Sequence, residues 1–256
     1  MLVITSLSII SCQKDVIQNA LNATTNYLEL IDMHNNNGSI SFSSNKGFGQ
    51  DAKAVFHASS VLFDDKGNQI KLRDLQINDL IVKPTQQGII STDITVSDQI
   101  GSLYGKKLII EANKEKTDLN TRGDVVVVRG EIRLPKEIIV SSPTSLNGKQ
   151  NIRRNETIKW VADPSNKKKM LVVIEFDPIR GSNKNFRNNK ATANYIEVDD
   201  TGTYQFKPQD FKGIPNKSTI TIYVTRADYT KTTSTTGSEK YTVYGYTMAR
   251  ADFVSE

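Results

Sequence analysis

From Ile40 onward apolar and polar residues alternate with a period of two, and turn-forming residues interrupt the alternation about every ten positions. That rhythm predicts short strands in an all-β sandwich or barrel. "AVFHASSVLF" and "QIKLRDL" flank the polar stretch "DDKGN" and predict a hairpin. Asp64 and Asp65 are read as turn residues, because the loop lacks the repeated oxygen positions of a calcium site. "DITV", "KKLIIEA" and "DVVVVRGEIRL" supply further strands. Val125 to Val128, apolar on both faces, predict a central one.

In "LPKEIIVSSPTSLNG", Pro135 and Pro143 bracket a short strand, and Ser, Asn and Gly gather behind it, which marks a domain boundary. The length of 256 residues agrees with a prior of about two domains. Beyond the boundary the strand-length runs are "ETIKWVADP", "MLVVIEFDP", "NYIEVDD", "GTYQFKPQDF", "STITIYVTRAD" and "YTVYGYTMARADF". The expected architecture is all-β, with two β-sandwich domains at 34–138 and 139–256. Upstream, "VIQNALNATTNYLELIDM" keeps an imperfect helical period before "HNNNGS" breaks it. Residues 12–33 are therefore expected to be a tether or short helix packing its apolar side on the first domain.

Composition narrows the function. A hydrophobic fraction of 37% with 24% charged residues suits a packed core and argues against wholesale disorder. The net charge of +5 is too small for the basic footprint of a nucleic-acid binder, so no nucleic-acid partner is expected. A single cysteine leaves no internal disulfide and no multi-cysteine metal site. Of the two histidines, His34 and His57, the latter falls inside a strand pattern and reads as a strand residue. There is no GxGxxG, phosphate loop or HExxH, and nothing positions two carboxylates for glycoside hydrolysis. No catalytic residue, metal or cofactor is expected.

The single cysteine, Cys12, follows an uncharged run from Leu2 to Ile10. A bilayer span needs ~20 apolar residues, whereas a secretory h-region needs roughly 7–15 followed by small residues, and this run fits the second. Ile9-Ile10-Ser11-Cys12 resembles a lipobox, the aliphatic-x-small-Cys pattern of bacterial lipoproteins. The resemblance implies that residues 1–11 are a signal peptide and that the Cys12 sulfur carries a diacylglyceryl group at the mature N-terminus. At ~0.8 kcal/mol per buried CH₂, two or three acyl chains make such an anchor effectively permanent. No Lys or Arg precedes the run, so a positive n-region would lie upstream of Met1. Gln13-Lys14-Asp15 resembles the Gln-Lys-acidic tract that carries lipoproteins of Bacteroidetes-type bacteria across the outer membrane. It implies an outer-membrane lipoprotein facing the cell surface, the alternative being the periplasm-facing leaflet.

The second domain resembles a fibronectin type III or related immunoglobulin-like sandwich. The residues that carry the likeness are Trp160 with Asp163-Pro164 after it, the alternation Val172, Ile174, Phe176, the pair Tyr204 and Phe206, and Ile214-Pro215-Asn216 leading into Ile220, Ile222 and Val224. The resemblance implies that Trp160 is a core residue and that the Pro-containing loop turns the chain between late strands. "DDTGTY" equally fits the Asp-x-Gly-x-Tyr corner of an immunoglobulin domain, with Phe206 where a cysteine would stand.

With catalysis unsupported, binding is the expected role, carried by loops and strand faces of rigid scaffolds. "NKKKM" and "RGSNKNFRNNK" place Lys167, Lys168, Lys169, Arg180, Lys184, Arg187 and Lys190 in loops on either side of one strand. As a patch they would attract acidic glycans or an acidic protein face. Tyr223, Tyr229, Tyr241, Tyr244 and Tyr246, beside the Thr/Ser-rich loop "TKTTSTTGSEK", either stack on a ligand or pack within a sheet. The function expected is a lipid-anchored surface protein that binds a glycan or extracellular protein. A structural accessory of an outer-membrane uptake or secretion assembly is the alternative, and a hydrolase ranks third.

Overall fold

One sheet organises the molecule. Its strands run in the order β12 (Thr192–Val198), β11 (Met170–Phe176), β14 (Thr219–Thr233), β15 (Lys240–Ser255), β1 (Gly38–Gly47), β2 (Val55–Leu62) and β5 (Ile90–Ile94), with β9 (Gln150–Ile152) also on β15. Neighbours are antiparallel except along one side of β15, where β1 covers Thr242 to Arg250 in parallel and β9 covers Phe253 to Ser255 in parallel. Two smaller sheets pack on it. One is β4 (Leu80–Val82), β3 (Leu72–Ile77), β6 (Lys107–Lys114) and β7 (Val125–Arg133) in that order; the other is β13 (Thr203–Gln205), β10 (Thr157–Trp160) and β8 (Val140–Ser142).

The computed structural model describes residues 36–48, 55–85, 88–94, 103–114, 125–144, 150–179, 183–235 and 237–256. The expected signal peptide at 1–11 and tether at 12–33 lie outside them. With 58% strand and 4% helix, the all-β class holds. Residues 36–256 form one unit with two hydrophobic clusters. In the first, Leu75, Ile77, Leu108 and Ile110 of the four-stranded sheet meet Ile40, Phe42, Tyr241 and Val243 of the large sheet. In the second, Val140, Ile158 and Trp160 of the three-stranded sheet meet Val172, Ile174, Ile222, Val224 and Phe253. The clusters change over between Leu134 and Ile138, close to the boundary read from the two prolines, while the large sheet runs unbroken past both.

Three local expectations are corrected. The "DDKGN" hairpin closes only briefly, through a bridge between Phe63 and Gln69 and a bond from Ile70 N–H to the Leu62 carbonyl; β3 then leaves for the other sheet. The turn itself is fixed by Asp64, whose Oδ1 accepts from the backbone N–H groups of Lys66 and Asn68 at 2.9 and 2.7 Å. Val125 to Val128 do not form a central strand, because β7 is an edge of its sheet. Val127 and Val128 are nonetheless both buried, since β7 lies against β14 and β15: Thr232 Oγ1 donates to the Arg129 carbonyl at 2.8 Å and the Thr235 N–H to the Val127 carbonyl at 3.0 Å. A Cβ on Gly130 would sit 3.2 Å from Val243, which is how closely the layers approach there. Finally, "TKTT" is strand rather than loop: β14 continues through Thr233 and β15 resumes at Lys240. β-branched threonine favours that extension, and cross-strand pairing with β15 holds it.

Candidate functional site

On β14 the alternation that buries Ile220, Ile222 and Val224 turns residue 226 inward as well, and there it places an arginine. Arg226 is 0% exposed. Its Nε and one terminal nitrogen donate to the two oxygens of Asp200 at 2.7 and 2.9 Å. The other terminal nitrogen reaches the carbonyls of Lys136 and Glu137 at 3.3 and 3.2 Å, and a further bond goes to the Val161 carbonyl. Asp200 also accepts from the Trp160 indole N–H at 2.9 Å and from Asn166 at 3.1 Å. Burial alone would raise the Asp200 carboxyl, but the bonds from Arg226 and Trp160 and the guanidinium charge outweigh it and hold the group below the usual carboxylate range. Asp163, whose backbone N–H donates to Asp200 at 3.3 Å, is likewise buried and receives Arg133 at 3.0 and 3.4 Å. These two pairs lock the segment between the clusters, a structural role. The sequence carried a signal for Arg226, a charge at an inward position of an apolar strand, which requires a buried partner.

The tryptophan that the sandwich likeness placed in the core is there, 4% exposed. The Tyr204 hydroxyl donates to Asp210 Oδ2 at 2.8 Å, a side chain six residues downstream. Burial, reinforced by Asp210, pushes that hydroxyl up to about 12.

The tyrosines divide between the faces of the large sheet. Tyr241 points into the first cluster, where its hydroxyl donates to the Phe63 carbonyl at 3.0 Å. Tyr223, Tyr229, Tyr244 and Tyr246 take the opposite parity, on the outer face, where Tyr223 and Tyr244 are buried and Tyr229 and Tyr246 are half-buried. There Tyr223 donates to Glu175 at 2.7 Å, and the rings of Tyr244 and Tyr246 stack 6.4 Å apart at 10°. In register beside them run small polar residues: Tyr244 faces Ser41, then Ser59, then Ser91, and Tyr246 faces Ser43, then His57, then Asp93. His57 Nδ1 lies 2.8 Å from Asp93 Oδ1, with the two side chains 41% and 60% exposed. His57 is thus a half-exposed strand residue. The outer face therefore carries partly exposed Tyr246 on β15, a serine floor on β1 and an imidazole–carboxylate pair on β2 and β5, while Tyr244 is only 8% exposed.

The five of the seven cations whose side chains are described do not gather. Lys167, Lys168 and Lys169 precede β11, whereas Arg187 and Lys190 precede β12, which pairs antiparallel with it from Phe176 opposite Thr192. The groups thus stand at opposite ends of a seven-residue strand, roughly 20 Å apart at ~3.3 Å per residue. Lys168 is already engaged, with Asp228 at 2.7 Å and the Tyr229 ring at 3.5 Å, and Lys169 with Asp199 at 2.6 Å. Arg180, the Lys184 side chain, Cys12, Gln13, Lys14, Asp15 and His34 fall outside the described residues. Among the described residues no three His, Cys, Asp or Glu side chains cluster as metal ligands.

No known protein family, curated protein or solved structure matches this chain.

Proposed function

We propose that this chain is a lipid-anchored outer-membrane protein, facing the cell surface, which binds an extracellular glycan or protein on the outer face of its large sheet. The observation that carries the reading is the row of partly exposed Tyr246, Ser41 and Ser43 beside the His57–Asp93 pair. Tyrosine and serine are the side chains that binding surfaces of rigid β scaffolds use most: a flat amphipathic ring with few torsions to freeze, next to small adaptable hydroxyls. Membrane attachment rests on the lipobox at Cys12 and orientation on Gln13-Lys14-Asp15. The immunoglobulin or fibronectin III-like reading of residues 139–256 is supported by β8, β10 and β13 facing β12, β11, β14 and β15 across one cluster, with β9 beside β15.

The test has two arms. Cys12→Ser should release the protein from the membrane fraction; retention after a high-salt wash removes the anchor. The released protein should then capture ligands on a glycan array or from serum, and Tyr246→Ala with His57→Ala should abolish capture while leaving the melting temperature within a few degrees. Capture that survives both changes places the site elsewhere. Co-purification of the unaltered protein with a membrane channel, with no ligand on either screen, favours the accessory-subunit reading.

A further inference from the structure

At one end of the second half the large sheet finishes in a row of paired strand termini. Thr192 of β12 faces Phe176 of β11, Phe176 faces Ile220 of β14, Ile220 faces Phe253 of β15, and Phe253 faces Gln150 of β9. Beyond that row the exposed side chains are mostly cations. Lys190 lies two residues before β12, Lys217 two before β14 and Arg153 one after β9, all exposed. At ~4.8 Å per strand these three stand roughly 10 Å apart along the rim. Loops add three more exposed cations. Arg187 enters the rim just before Lys190. Lys212 is held beside β12 by its carbonyl, which accepts from Asn194 at 3.0 Å. Lys207 follows Phe206, whose N–H donates at 2.8 Å to the Glu156 carbonyl in the turn after Arg153. Acids do not balance them: Glu156, Asp177 and Asp210 are half-buried, and among the described residues the exposed acid here is Glu256, 3.9 Å from Arg153. One row inward, half-buried Glu175 and Asp252 accept from Tyr223 and Thr221, each at 2.7 Å. Between the cations stand exposed amides, Asn155, Asn188, Asn189 and Asn216.

We propose that this end binds a linear acidic polysaccharide, a hydroxyl-rich chain carrying carboxylate or sulfate groups. Arginine and lysine meet such groups through charge-assisted hydrogen bonds, and amides, donor and acceptor at once, suit the hydroxyls between them. A rim of one sign raises the local concentration of a polymer of the other. Two other polyanions fit less well. A membrane-binding face needs a band of apolar side chains, and beyond the row of strand termini the large hydrophobic side chain exposed among the described residues is Ile179 alone. Single-stranded nucleic acid needs exposed rings to stack on, whereas Phe176, Phe206, Phe211 and Phe253 are buried. The rim lies seven residues along β15 from Tyr246, roughly 23 Å, so it is separate from the outer-face row and does not depend on that reading.

The full chain carrying Cys12→Ser tests this against heparin, which is sulfated, and polygalacturonate, which is carboxylated, at about 50 mM salt, with neutral dextran as the control. At least one acidic polymer should bind, dextran should not, and binding should fade as salt rises. Lys190→Gln, Lys212→Gln and Lys217→Gln together should weaken it about tenfold, because three exposed ion pairs are lost. Lys66→Gln, Lys71→Gln and Lys167→Gln remove the same charge from exposed sites elsewhere and should change it less than about twofold, with melting temperatures alike in both variants. With every lysine in place, the bound polymer should shield Lys190, Lys207, Lys212 and Lys217 from acetylation, read by mass spectrometry, and leave Lys66, Lys71 and Lys167 reactive. Tyr246→Ala with His57→Ala should bind the polymer as the parent does. Failure to bind either polymer overturns the proposal, as do equal losses in the two triple variants or an unshielded Lys190 and Lys217. Tighter binding to phosphatidylglycerol vesicles or to single-stranded DNA than to both polymers overturns it too.

Discussion

Residues 36–134 and residues 138–256 each supply one hydrophobic cluster, yet they depend on one another unequally. The first cluster is completed by Tyr241 and Val243 of β15, and β1 has β15 as its partner on the side away from β2. The second cluster borrows only Phe48 and builds both of its sheet layers from its own strands. What joins them is the arm of β14 and β15 that runs on beyond the second cluster, from Asp228 to the turn and back to Thr247. One half is a complete sandwich; the other is assembled on its neighbour's extended hairpin. An apolar pattern thus reports that a core exists, without reporting whose strands will close it.

The largest effect should come from cutting at that seam. A fragment of residues 36–138 lacks Tyr241, Val243 and the β15 partner of β1, and should lose all of the ~5–15 kcal/mol that a domain carries. A fragment of residues 139–256 keeps both layers and should retain the blue-shifted emission of Trp160, the only tryptophan. Far-UV circular dichroism with thermal melting reads the first and fluorescence the second. A cooperative melt from 36–138 alone would break the comparison.

A smaller effect separates the two halves by their buried charges. Arg226→Met leaves Asp200 inside with neutral partners only, a loss of ~3–5 kcal/mol for a buried pair broken on one side. The first half has a lesser counterpart: buried Asp74 accepts from Asn113 at 2.8 Å and from Arg73 at 2.6 Å. Asn113→Ala leaves Arg73 in place, and Arg73 is partly exposed, so the loss should be about 1–3 kcal/mol. Denaturant midpoints measure both. Equal losses would mean that the junction pair is no more deeply committed than a pair between two strands of the small sheet.

How much of this was legible depends on the distance over which each feature is encoded. Period-two alternation located β2, β6, β7, β11 and β15 to within a residue or two at most of their ends, because side-chain direction is set locally. Trp160 was legible as core from its place on an alternating strand. Sheet membership was not: the run at Val125 to Val128 looks central because both faces are buried, but its second face is covered by β14 and β15, about a hundred residues later in the chain. The parallel placement of β1 against β15 has no local signature either. On the candidate face, alternation separates Tyr241 from Tyr244 and Tyr246, but only pairing across β1, β2 and β5 reveals that serines and the His57–Asp93 pair stand beside them. The cations misled for the complementary reason. Loops flanking a strand are close in sequence and a strand's length apart in space.

The smallest effect is graded with pH and sharpens the same comparison. The carboxyls of Asp163, Asp200 and Asp74 all lie below their ordinary value: burial would raise each one, but donated hydrogen bonds and neighbouring arginine charge more than offset it. A depressed folded-state value means that the unfolded chain takes up protons first as pH falls. The stability each group contributes is therefore complete above the unfolded value of ~3.9 and drains away as pH drops through the folded one. Two of the three, Asp163 and Asp200, sit at the junction and in the second half, and Asp200 accepts the Trp160 indole N–H. Acidification below about pH 4 should therefore reach the second half first, seen as a red shift of Trp160 emission before amide protection is lost in β3 and β6. Asp200→Asn should be less stable at neutral pH, because Arg226 loses its counter-charge, yet lose less on acidification, with its acid limb shallower by about one proton. If the Asn variant keeps the parent's slope below pH 4, Asp200 does not carry the acid sensitivity, and the two halves respond to protons alike.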